Sequence, residues 1–164
     1  MKKTALFITQ AAMIAALYVV LTVFINAFNL ASGAIQVRIS EALTILPYFT
    51  PAAIPGVFLG CLISNIVTGC LPWDIVFGSL ATLIGAVGTY LLRKHKYLAP
   101  IPPIVSNMII IPFVLIKVYE LTDAYWFLML TVGAGEIISC GILGMILLFA
   151  LDPHKGIIFN RNNN

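Results

Sequence analysis

Gln36-Val37-Arg38-Ile39-Ser40-Glu41-Ala42-Leu43-Thr44-Ile45-Leu46-Pro47-Tyr48 sets an arginine and a glutamate into sequence that otherwise resembles hydrocarbon. Charged side chains inside a bilayer are costly, so they turn toward the protein interior or a water-filled cavity. Read as a helix, Arg38 and Glu41 stand three residues apart on a face that Thr44 and Tyr48 continue. Ile39, Ala42, Leu43 and Leu46 populate the other side. On these residues alone two readings stay open: a short amphipathic helix with a structural ion pair, or one wall of a binding site.

The surrounding chain decides the class. Its 164 residues are 61% hydrophobic and 9% charged, with a mean hydropathy of +1.06. A soluble domain needs polar residues to cover its outside, so this composition marks an integral membrane protein. The apolar segments are apolar all round rather than alternating, which excludes a β-barrel and leaves an all-α bundle. A net charge of +3, split along the chain, does not suggest nucleic acid. Cys61, Cys70 and Cys140 lie singly in apolar segments with no metal-type spacing, and read as small apolar helix residues.

Lys2 and Lys3 precede an apolar run over 4–28, longer than a signal-peptide core and therefore a retained first helix. Ala11/Ala15 and Ala12/Ala16 are small-xxx-small pairs on it, which let another helix approach closely. A loop follows over 26–36, with Asn29, Ser32 and Gly33. Pro47 and Pro51 end the opening stretch. A helix over 52–70 carries Gly56 and Gly60, with Ser64, Asn65 and Thr68 near its end. Asp74 is placed to cap the next helix, 74–92, whose Gly78, Ala81, Gly85 and Gly88 form a smooth face. Trp73 beside it suits either an interfacial anchor or a ligand contact. Pro100, Pro102 and Pro103 start a helix that ends near Tyr119, and the last helix spans 124–151. The membrane domain thus covers 1–152, and 153–164 is a short cytoplasmic tail.

Basic loops prefer the cytoplasm. Lys2/Lys3 and the cluster Arg93-Lys94-His95-Lys96 therefore share a side, which requires an even number of crossings between them. The opening stretch becomes a short crossing, giving six transmembrane helices with both termini cytoplasmic. A re-entrant 38–50 segment is the competing arrangement, and it breaks the charge rule. In the six-helix arrangement Arg38, Glu41, Asn65, Trp73, Lys117, Glu120 and Tyr125 gather toward the outer side. Asn107 lies about ten residues below Lys117, roughly 15 Å deeper, and Glu136 falls near the same level. Glu136 at that depth is either a binding residue or a glutamate bonded within its own helix.

No GxxxxGK[ST] loop, HExxH or Ser–His pairing is present, which argues against an enzyme. A binding subunit, an ion-coupled transporter or a structural subunit remain. The runs Gln36–Leu43 and Trp73-Asp74-Ile75-Val76-Phe77-Gly78-Ser79-Leu80-Ala81-Thr82 resemble the QueT family, and the similarity extends from the first helix to Asp152.

The resemblance implies the substrate-capture S component of an energy-coupling factor (ECF) transporter for queuosine precursors, in the bacterial plasma membrane. A transmembrane coupling subunit and two cytoplasmic ATPases would be its partners, with no cofactor or metal. The alanine pairs of the first helix would meet the coupling subunit. The implied ligand is a 7-deazaguanine base. Glu136 would accept its adjacent N–H groups, Asn107 would read a carbonyl or ring nitrogen, and Glu41 would take an aminomethyl cation. Arg38 would orient Glu41, Trp73, Tyr125 or Trp126 would stack on the ring, and Asn65 joins the same polar set. Rival readings are a proton-coupled secondary transporter, an S component for a different vitamin, and a structural subunit.

Overall fold

The computed structural model describes residues 2–27, 37–120 and 123–159. The expected loop over 26–36 lies outside the described residues apart from its first positions, as do Gln36, Arg161 and the Asn-rich end.

Helix α1 (Lys2–Ala27) leads into a ten-residue 3-10 helix (Ile39–Tyr48), then α2 (Ala53–Val67), α3 (Pro72–Leu91) and α4 (Ile101–Val118). The last long helix is three pieces end to end: α5 (Tyr125–Glu136), a π-helical turn (Ile137–Leu143) and α6 (Gly144–Leu151). A short α7 (Lys155–Ile158) follows. The described residues are mostly helical, with no strand among them.

Four segments are long and apolar enough to cross a bilayer: Lys3–Ala27, Pro72–Leu91, Lys96–Val118 and Tyr125–Ile158. Ala53–Val67 is apolar but shorter. The 3-10 helix is shorter still: at about 2 Å per residue it covers roughly 20 Å of a hydrocarbon core about 30 Å thick.

That short helix is the axis of the molecule. It touches α1, α2, α3, α6 and the π turn, and every residue from Ser40 to Pro47 is buried. The expected amphipathic helix with one polar face is therefore corrected. With three residues per turn, Glu41, Thr44 and Pro47 stack on one ridge, and the apolar side faces neighbouring helices rather than lipid. Leu43, Ile45 and Leu46 pack with Ile14, Tyr18, Val57, Ala86 and Leu148 in the main core.

Around the axis the long helices pack in chain order, α1 on α2, α2 on α3, α3 on α4 and α4 on α5. The α1–α2 contact depends on Gly56 and Gly60. A Cβ at Gly56 would lie 2.9 Å from the Ala11 carbonyl oxygen, and one at Gly60 would lie 2.6 Å from Tyr18 Cβ. The smooth face of α3 meets α4 at Pro103 and Ser106.

The far end is closed by ions and rings. Lys96 Nζ lies 2.6 Å from Asp152, which Lys155 also reaches at 3.0 Å. Phe159 stacks on Phe49 with ring centroids 5.1 Å apart, so the described part of the tail folds back on the bundle.

Candidate functional site

A cavity of about 480 Å³ opens at the end of the bundle opposite the Lys96–Asp152 pair. Tyr18, Thr22 and Asn26 of α1 line it, with Arg38 and Ser40, Ser64, Asn65 and Thr68 of α2, Cys70, and Asp74 and Tyr119. Its volume lies in the range of small-molecule sites. Most of its hydroxyls are satisfied locally: Thr22 Oγ1 donates to Ser40 Oγ at 2.8 Å, and Thr68 Oγ1 to the Ser64 carbonyl at 2.8 Å.

Asp74 does not cap α3, as the sequence suggested. Leu71 is the N-cap and Pro72 the first helical residue, which puts Asp74 in the first turn. There its carboxylate accepts the Tyr119 hydroxyl at 2.9 Å and ties α3 to the end of α4. Burial first, then the Asp74 hydrogen bond, push the Tyr119 phenol up to about 12, so it remains a donor at neutral pH. Next to it Glu120 adopts a left-handed backbone, φ 53°.

Beyond the floor of the cavity lies a second polar group that does not line it. Glu41 (1% exposed), Glu136 (5%) and Asn107 (3%) come together there from the 3-10 helix, α5 and α4. One carboxylate oxygen of each glutamate and the Cys140 sulfur all lie within 4.8 Å of one another. These are the described donors close enough to hold a cation. Glu41 Oε1 accepts the Tyr18 hydroxyl and, at 3.4 Å, Thr82 Oγ1. The Cys140 thiol donates to Glu136 Oε2 at 3.1 Å.

Two atoms in this group have no partner: Glu41 Oε2 and Asn107 Nδ2. The Asn107 amide stands beside both carboxylates without a hydrogen bond of normal geometry to either. A buried acceptor and a buried donor left unmade each cost on the order of 1–3 kcal/mol.

The π turn supplies the fourth wall. Its widened helix carries Ser139 and Cys140 against the axis, where Ser139 Oγ accepts the Arg38 backbone N–H at 3.1 Å and Cys140 meets Thr44 at 3.4 Å. Such turns recur at functional sites.

The site residues expected from sequence therefore separate. Glu41, Glu136 and Asn107 form the inner group, while Arg38 and Asn65 line the cavity. Arg38 feels the Asp74 and Glu41 carboxylates but is ion-paired to neither, so the expected Arg38–Glu41 pair is corrected. Trp73 is 62% exposed and stacks on Phe77, and the Tyr125 hydroxyl donates to the Ile109 carbonyl at 2.7 Å. Trp73, Tyr125 and Trp126 are all exposed and do not line this cavity. The sequence reading missed Tyr18, which lies within the apolar first helix, and the Asp74–Tyr119 link.

The alanine pairs separate too. Ala15 is buried and Ala11 half-buried against Gly56 and Gly60, whereas Ala12 and Ala16 face outward.

A family model described as QueT transporter matches residues 8–153. The queuosine precursor transporter QueT of Lactococcus lactis subsp. cremoris (strain MG1363) is 38% identical over 99 residues, 58% of this chain and 57% of that protein. The similarity thus spans little more than half the length of that relative. No solved structure matches the chain. Because the family match covers most of its length, the chain belongs to the QueT transporter family.

Proposed function

With membership of the QueT transporter family as the premise, we propose that this chain is the substrate-capture S component of an ECF-type importer in a bacterial plasma membrane. The name of the Lactococcus relative supports a queuosine precursor as its substrate, and we take this to be a 7-deazaguanine base. The observation that carries the reading is the orphaned pair Glu41 Oε2 and Asn107 Nδ2, buried beside Glu136. A deazaguanine edge presents a carbonyl acceptor next to N–H donors. Asn107 answers the carbonyl, and the two carboxylates answer the donors and any aminomethyl cation. Binding thereby satisfies groups that stay unmet in the empty protein.

Six crossings, with the 3-10 helix as the short one, put both termini in the cytoplasm. The meeting of the Lys96 loop with Asp152 and Lys155 at one end supports this arrangement under the charge rule. The coupling subunit docks on α1 along its outward register, Ala12 and Ala16, since Ala11 and Ala15 are occupied by α2. ATP hydrolysis belongs to two partner ATPases.

The test is a titration of purified protein with guanine, 7-cyano- and 7-aminomethyl-7-deazaguanine, queuine and unrelated vitamins. Tight binding of one deazaguanine with guanine much weaker is the expected result. Preference for a vitamin would overturn the ligand, and no binding by folded protein would overturn capture altogether. One observation favours a second reading: two buried acids without a paired cation also suit proton exchange. Uptake by this chain alone in ATP-depleted vesicles, driven by an imposed proton gradient, would establish it instead.

A further inference from the structure

The cavity and the inner group are adjacent, and Tyr18 lines the one while its hydroxyl is hydrogen-bonded to a member of the other. Tyr18 lines the cavity, whereas Glu41, Glu136, Asn107 and Cys140 do not. The Tyr18 ring is 2% exposed, and its hydroxyl is bonded to Glu41 Oε1. Behind it the ring meets α2 at Gly60. A ligand in the cavity therefore meets Tyr18 before Glu41 or Glu136, while the atoms with unmet hydrogen bonds, Glu41 Oε2 and Asn107 Nδ2, do not line the cavity.

The geometry points to a site of two compartments in which Tyr18 is the gate: its hydroxyl, bonded to Glu41, holds the inner compartment shut until a ligand takes its place. This rests on the capture reading for the ligand, but not for the gate itself. A planar molecule carrying an acceptor beside N–H donors is drawn inward because the orphaned atoms offer it new bonds. A molecule of similar size without that edge gains nothing from opening the gate and stays in the outer cavity. Tyr18 is thus a positioning residue that separates encounter from recognition.

Two cysteines report on the two compartments. Cys70 lines the outer cavity, and Cys140 lies inside, bonded to Glu136. The full-length protein in nanodiscs is treated with a small water-soluble methanethiosulfonate, and modification of each cysteine is followed by mass spectrometry. In the unmodified sequence Cys70 should react much faster than Cys140. Tyr18→Phe keeps the ring and removes the bond to a carboxylate, so Cys140 should react about tenfold faster or more, with Cys70 unchanged. Cys140 reacting as fast as Cys70 from the outset, or unaffected by Tyr18→Phe, would overturn the gate. Should Tyr18→Phe fail to fold, Glu41→Gln weakens the same bond and should give a smaller rise, about threefold; no rise there overturns the gate equally. Added 7-aminomethyl-7-deazaguanine should protect Cys140. Absent protection with the gate behaviour intact would count against the ligand and leave the gate standing.

Discussion

Two groups of acids in this molecule are treated in opposite ways. Asp152, at one end, is held by Lys96 and Lys155 at 2.6 and 3.0 Å, and all three remain partly open to the surroundings. Glu41 and Glu136, in the middle, are buried within 4.8 Å of each other and ion-paired to no described residue. The first acid is neutralised by its own chain and has a structural explanation. The second pair is unexplained by the fold, because burying an acid without a partner destabilises. The difference separates an acid that holds the structure together from two acids whose burial the fold alone does not account for.

Substitutions should widen that contrast. The largest effect is expected for Glu136→Gln on ligand affinity: losing a charged acceptor weakens deazaguanine binding about 10- to 100-fold, read by calorimetric titration. Unchanged affinity would remove Glu136 from the site. Gly60→Val comes next, since its Cβ would lie 2.6 Å from Tyr18 Cβ; overpacking there should cost about 1–3 kcal/mol in thermal unfolding. The same Glu136→Gln protein, without ligand, should gain about 1–2 kcal/mol of stability, because it removes a buried acid that has no cation partner among the described residues. Asp152→Asn should do the reverse on a smaller scale, lowering Tm by no more than about 2 °C and leaving binding unaltered. If both acids shifted stability in the same direction, the contrast would fail.

The smallest effect concerns Tyr119 and Asp74 at the cavity mouth. A phenol raised to about 12 adds stability that is complete below its unfolded value and disappears as pH climbs through its folded one. The bond should therefore stabilise at neutral pH and be lost between about 10 and 12. Tyr119→Phe should abolish that alkaline dependence in a melting series.

Much of this was legible in sequence, and the failures have physical causes. Apolar runs bounded by Pro and Gly gave helix positions close to those found, since length and hydropathy determine a span. Glu136 and Asn107 stood out by depth alone, and depth follows from counting residues along a helix. Arg38 and Glu41 misled because a spacing of three fits both an α face and a 3-10 ridge, and only the second buries Glu41 on every side. Trp73 and Tyr125 lie at the expected end of the bundle but point away. Side-chain direction depends on the rotational phase at which a helix starts, and α3 starts at Pro72 rather than Asp74. Tyr18 carried no signal because an isolated tyrosine in an apolar helix is ordinary packing until its hydroxyl acceptor is known.

The central 3-10 helix also sets a timetable for biosynthesis. Arg38 reaches Ser139 across 101 positions of chain, Thr44 reaches Cys140, and Phe49 waits for Phe159. At about 5–20 residues per second, the ribosome needs roughly 5–20 s to deliver those partners. Throughout that interval the ten-residue helix, with Arg38 at its start and Glu41 within it, lacks the last helix that packs on it. The outer cavity can form from the first four long helices, whereas the inner acid group is complete only when Glu136 and Cys140 arrive with the final helix.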